Sequence, residues 1–272
     1  MNCGAIRTKA VGVVVPVHNE EELLGPALDA IEIAFRDVAL RGVECRTVVV
    51  LDGCSDGSAT IARHWARSLA RRRDPLRSVV LRCRSVGVGA ARRVGVATLL
   101  GKWRALDPRN IWLATTDADS RVPPGWLAAQ VGAHELGADV WTGRVTVEDW
   151  SPYEEGTAQL WNEVYDAEQL PIHGASLGFN AQMYLAAGGF ASLGTGEDRA
   201  LHQAILAEGG RALEDMELKV ITSGRRLARA PLGFAHALSS FDDTVQDGQL
   251  IPAHAAPSGV EATDPRGWLP GG

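Results

Sequence analysis

The chain has 272 residues, with 27 basic and 33 acidic side chains and a formal charge of −6. That length allows one large domain or two small ones and excludes a miniature stapled by disulfides or metal. The mildly acidic balance argues against a nucleic-acid partner. Cys3, Cys45, Cys54 and Cys83 show no C-x-x-C and no zinc-ligand spacing, so reduced thiols in the cytoplasm are expected. No stretch reaches the ~20 apolar residues of a bilayer span, so a soluble chain without a transmembrane segment is expected.

Residues 11–17 form a near-continuous apolar run, as in a parallel strand buried on both faces. Arg7 and Lys9 ahead of it imitate a signal peptide, but the run meets Asn19-Glu20-Glu21-Glu22 with no small-residue cleavage site. Residues 20–40 repeat apolar side chains at helical spacing, stopping near Gly42. Strands at 47–51, 79–83 and 111–115 then alternate with helices at 58–72, 89–100 and 126–136. Such alternation predicts a mostly parallel α/β sheet. After 140–147 the rhythm changes. A helix over 153–169 precedes a Gly-rich segment at 174–190, a helix begins near Glu197, and a late strand covers 218–222. From Ser239 the chain is rich in turn residues, and 239–272 is expected to be a partly disordered or surface-draped tail behind one domain of residues 1–238.

Ligands of open parallel sheets bind beyond the carboxyl ends of the strands. Polar clusters fall at four of those ends: Pro16-Val17-His18-Asn19-Glu20, Asp52-Gly53-Cys54-Ser55-Asp56-Gly57-Ser58, Val86-Gly87-Val88-Gly89-Ala90-Ala91-Arg92-Arg93 and Thr116-Asp117-Ala118-Asp119. Asp117 and Asp119 are two apart, so in extended chain both carboxylates face one side. Two hard oxygen ligands suit Mg²⁺ or Mn²⁺, which takes its remaining ligands from water and a diphosphate. An Asx-type turn before Pro123-Pro124 is the competing explanation.

Together these motifs resemble the family 2 glycosyltransferases, which have the A-type glycosyltransferase fold, over roughly residues 10–235. The resemblance implies a Rossmann-like sheet flanked by helices, with a donor half (10–120) and an α/β acceptor half (121–238). It implies that Pro16, His18, Asn19 and Glu20 form the nucleotide-binding turn and that Asp52 contacts the nucleoside. Leu51 stands where the family often has a second acid, which leaves the base open, with a UDP-sugar as default donor. Gly89, Arg92 and Arg93 match the helix start near the donor diphosphate, Asp117 and Asp119 the metal motif, and Arg225 a segment near the donor phosphates. His236 matches a late histidine that completes the metal shell in some related folds.

Gly174-Ala175-Ser176-Leu177-Gly178-Phe179-Asn180, followed by Gly188-Gly189-Phe190, is similar to the family's acceptor-side segment. Glu197 and Asp198 then match its base-carrying motif, which implies that Asp198 deprotonates an acceptor hydroxyl during in-line attack. Helix capping explains the same two acids without catalysis. Trp161 and Tyr165, one helical turn apart, fit either a sugar-stacking wall or a core face. The Q-x-x-R-W motif and membrane helices of the processive members are absent. The expected enzyme is therefore a single-transfer, inverting glycosyltransferase dependent on Mn²⁺ or Mg²⁺, with a small-molecule or lipid-linked acceptor. A retaining transferase of the same fold and a silent nucleotide-sugar-binding subunit are the competing expectations.

Overall fold

The computed structural model describes residues 6–39, 41–167, 172–193, 195–226 and 234–246. The first apolar run becomes strand β1 (Ala10–Val17), buried at every position but Pro16. Strands β2 (Glu44–Asp52) and β4 (Ile111–Thr115) flank it in parallel, and β3 (Arg77–Cys83) lies parallel beyond β2. On the other side β6 (Leu177–Asn180) runs antiparallel to both β4 and β5 (Val140–Val147), and β7 (Ala212–Thr222) is parallel to β5. The seven-stranded order is β3-β2-β1-β4-β6-β5-β7. This is the mostly parallel α/β sheet that the strand–helix alternation predicts.

Side chains alternate across a strand, so β1 feeds two cores. Val11, Val13 and Val15 pack with helices α1 (Leu24–Ala39), α2 (Ser58–Arg72) and α4 (Trp126–Glu135) on one face. Ala10 and Val14 pack with α3 (Val88–Lys102), α6 (Ala181–Ala186) and α7 (Glu197–Ala207) on the other. Helix α3 sits unusually close to the sheet, because a Cβ on Gly95 would collide with Val14. That closeness carries Arg92, buried in the first half of α3, beneath the strand ends.

Two segments depart from the sequence expectation. The Gly-rich stretch contains β6 and α6, and Asn180 caps α6 by accepting from the Gln182 and Met183 amides at 2.9 and 3.3 Å. Strand β6 needs Gly178, since a Cβ there would strike Gln130 and the Trp112 indole. The second departure is the start of the expected tail. Helix α8 (Phe234–Gln246) runs through Ser239, so residues 239–246 are helical rather than turn-rich; 247–272 lie outside the described residues. Leu238 and the buried Asp242 hold α8 in place. Asp242 accepts from the Glu154 amide at 3.0 Å and the Thr157 hydroxyl at 2.7 Å, and it pairs with Arg226 at 2.6 Å. These contacts tie α8 to the start of α5 (Thr157–Ala167). Among the described residues no helix is long and apolar enough to cross a membrane.

Candidate active site

A cleft of about 830 Å³ opens where β1, β2 and β4 end, and it extends to α5, the start of α7 and α8. Pro16, His18, Glu20 and Asp52 line it from the first two strand ends, and Asp117 and Asp119 line it just after β4. Asp52 is 6% exposed and spends an oxygen on each of the Val86 and Gly87 amides, at 2.7 and 2.9 Å. It therefore closes the turn between β3 and α3 as well as facing the cleft. His18 donates from Nδ1 to the Asp52 carbonyl at 2.6 Å, which orients its ring at the rim.

Two arginines bind the acidic centre together. Buried Arg92 pairs through Nη2 with Asp117 at 2.5 Å and through Nη1 with Glu197. Gly174 makes room for it, because any Cβ at that position would run into the guanidinium. Arg225 pairs with Glu20 and with Asp119, each at 2.8 Å. Burial is the main cause that pushes Asp119 up to about 6; Arg225 opposes the shift, while Asp117 and Glu20 add to it. This corner therefore concentrates negative charge that only arginine offsets.

Other expected site residues lie elsewhere. Asn19 adopts φ 55°, a left-handed conformation asparagine tolerates, and its Oδ1 accepts from the Ser55 amide at 2.8 Å. It holds the loop rather than lining the cleft. Gly89 packs against the Ala191 and Leu193 carbonyls, and Arg93 donates to the Phe190 carbonyl at 3.2 Å, so both brace the chain ahead of α7. His236 is exposed on α8, whose Phe234, Ala235 and Ala237 line the cleft instead. Among the described residues no group of three His, Cys, Asp or Glu side chains gathers to hold a metal ion.

The cleft is also lined by the expected acceptor-side residues. Asp198 lines the cleft from the first turn of α7, with Oδ2 accepting from the Gly174 amide and Oδ1 from the Arg199 amide, both at 2.7 Å. Its neighbour Glu197 is buried against Arg92. Trp161 and Tyr165 stack with centroids 6.0 Å apart, and Phe234 stands edge-on to Trp161 at 5.7 Å. Both members of the pair line the cleft while also packing into the core. Arg144 lies over the Tyr165 ring at 5.1 Å.

Sequence reasoning attached no role to His173, which meets the Tyr165 hydroxyl at 2.8 Å. Burial is the main cause that lowers its pKa to about 4; Asp198 pulls it upward, and Arg199 and Arg144 push it down. An unfolded imidazole takes its proton near 6.5, so between 6.5 and 4 the unfolded chain binds the extra proton. Folding stability therefore falls as pH drops through that window, by up to about 3 kcal/mol. Urea unfolding across this range gives a flatter pH dependence for His173→Gln than for wild type; equal slopes contradict the assignment.

The family model for glycosyl transferase family 2 matches residues 12–187, which include the strand ends and Asp117–Asp119. The chain belongs to this family. A curated relative, undecaprenyl-phosphate 4-deoxy-4-formamido-L-arabinose transferase from Pseudomonas fluorescens, is 34% identical over 130 residues. Those residues are 48% of this chain and 34% of the relative, so the chain spans about a third of the relative's length. The fold is similar to that of the mannosyltransferase PcManGT from Pyrobaculum calidifontis, solved with GDP-Man and Mn²⁺. That match has TM-score 0.57 and 21% identity, and covers 86% of this chain and 70% of that one. Glucosyl-3-phosphoglycerate synthase from Mycobacterium tuberculosis, solved with Mn²⁺, UDP and phosphoglyceric acid, is similar at TM-score 0.51 and 17% identity, covering 93% and 81%.

For a family 2 glycosyltransferase chain, the donor set at Asp117 and Asp119 fits a hard divalent cation. Both carboxylates line the cleft, both are oxygen donors, and the desolvation of Asp119 leaves a charge that a cation stabilises.

Proposed function

We propose that the chain transfers a sugar from a nucleotide-diphosphate sugar, a UDP-sugar by default, to a hydroxyl of a small or lipid-linked acceptor, once per encounter and with inversion. The observation that carries this is one cleft lined both by Asp117 and Asp119, just after β4, and by Asp198, in the first turn of α7. Mn²⁺ or Mg²⁺ held by Asp117 and Asp119 would neutralise the charge that develops on the departing diphosphate. His236 has no part in this scheme, because its side chain is exposed.

The remaining steps belong to the protein's own side chains. Pro16, His18 and Asp52 receive the nucleoside where the strands end. Arg225 is held in the cleft by Glu20 and Asp119, and the positive charge of its guanidinium favours a diphosphate beside it. Arg92 lines the cleft near the expected donor diphosphate, and its pairs with Asp117 and Glu197 tie the strand-end carboxylate to the start of α7. Removing it would strand the buried Glu197 carboxylate, at a cost of about 3–5 kcal/mol, whereas Asp117 keeps access to water.

Asp198 takes the acceptor proton as the acceptor oxygen bonds to the anomeric carbon, while the bond to the diphosphate breaks and its electron pair leaves with phosphate. With Glu197 committed to Arg92, Asp198, which accepts from the Gly174 and Arg199 amides and pairs with no cation among the described residues, is the carboxylate assigned to take the proton, which suits one direct displacement. The aromatic pair Trp161–Tyr165, with Phe234, provides a flat apolar surface for the face of a sugar or a similar ring. The test is release of nucleoside diphosphate from UDP-, GDP- and dTDP-sugars with Mn²⁺ and a panel of acceptors. Metal-dependent, acceptor-stimulated release from one donor supports the proposal; no release from any donor opposes it.

A further inference from the structure

Away from the cleft, residues 63–84 contain eight arginines and a single acid, Asp74, in a chain whose formal charge is −6. Arg63, Arg67 and Arg71 follow one another at four-residue steps, so they form one stripe along α2. All three are exposed, as are Arg72 and Arg73 at the end of the helix and Arg77, Arg82 and Arg84 along and just past β3. Arg72 pairs with Glu32 at 2.7 Å, and Arg77 donates to the Asp74 carbonyl at 2.6 Å. The other six have no ion-pair partner among the described residues.

A groove of about 440 Å³ crosses this same face between α2 and β3. It is amphipathic: Ala66, Leu69, Ala70 and Leu76 give it an apolar part, and Arg73, Arg77 and Ser78 complete its lining. Protection of an edge strand explains charged residues on β3, but it does not explain the stripe on α2 or the amphipathic groove between them.

We propose that the α2–β3 face docks the protein on a membrane surface rich in anionic phospholipid. Guanidinium groups match lipid phosphates in charge and geometry, and the amphipathic groove accepts the glycerol region beneath a headgroup. A membrane meets one face only, so the acidic remainder of the chain stays away from the like charge. A nucleic acid would find an unbroken row of phosphate-binding arginines but no use for the groove. Arg84 ends this face one residue before Ser85, which lines the active-site cleft, so docking would bring the cleft rim near the bilayer.

The experiment is co-sedimentation of the full chain with phosphatidylcholine vesicles, with and without phosphatidylglycerol, at low and high salt. Wild type binds only the phosphatidylglycerol vesicles, and salt releases it. Each arginine near an anionic surface contributes about fivefold, so Arg63→Gln, Arg67→Gln and Arg71→Gln combined lower partitioning on the order of 100-fold. These residues are exposed and lie outside the cleft, so the variant keeps the wild-type circular-dichroism spectrum, thermal midpoint and nucleotide binding. Three results overturn the proposal: no preference for anionic vesicles, a correctly folded triple variant that binds as wild type does, or retention on duplex DNA without vesicle binding.

Discussion

Asp198→Asn lowers the rate of sugar transfer by at least about 100-fold while donor affinity stays close to that of wild type. The amide keeps the shape of the side chain and one oxygen for the Gly174 or Arg199 amide, but it cannot take a proton from an acceptor hydroxyl. The donor side is untouched, because Asp117 and Arg225 interact elsewhere. Capping gives a different pattern. An acid in the first turn of α7 stabilises that helix through its dipole and its contact with the Gly174 amide. Were that its whole contribution, Asp198→Asn would lower the thermal midpoint slightly and leave the rate unchanged. Steady-state kinetics and thermal unfolding on the same preparation separate the two.

Asp119→Ala reduces turnover on the order of 1000-fold, because the charge it helps to neutralise appears on the leaving diphosphate as the bond breaks. Nucleoside diphosphate still binds the variant through the strand-end turns and Arg225, but weakly and without a metal requirement. Glu20 retains Arg225 in the cleft, at 2.8 Å, so loss of the carboxylate does not release the arginine. Turnover is measured with Mn²⁺ in excess, and circular dichroism confirms that the variant is folded. Full activity in Asp119→Ala would remove the metal assignment.

Much of the fold was legible because its elements carry strong local signals. Helix α2 spans residues 58–72 as its stripe of Ala62, Trp65 and Leu69 indicates, and β4 coincides with its apolar run at 111–115. Strand β6 was hidden because four residues centred on Gly178 are too few to display alternation. Helix α8 was hidden for another reason. Asp242 interrupts its apolar stripe, yet that side chain is fully buried because it bonds to the start of α5. A buried acid with remote partners looks like a surface residue in sequence.

The same distinction holds at the candidate site. Asp52, Asp117, Asp119, Arg225 and Asp198 could be singled out from local motifs, and all five line one cleft. The Arg92–Glu197 pair joins residues 105 positions apart, and no local pattern reveals it. His173 is marked by no local pattern, since its contacts with Tyr165 and Phe234 come from separate helices. His236 shows how little one position says alone: a histidine late in the chain fits a family pattern, yet it is exposed on α8 and is not among the residues that line the cleft.

The most direct test of donor binding at this cleft is calorimetric titration of UDP, GDP and dTDP, each with and without Mn²⁺. Binding of one nucleotide that tightens with Mn²⁺, and loses that dependence in Asp119→Ala, is the expected result and names the base. No binding of any nucleotide, with or without metal, would contradict a sugar-nucleotide site between Asp52 and Asp119.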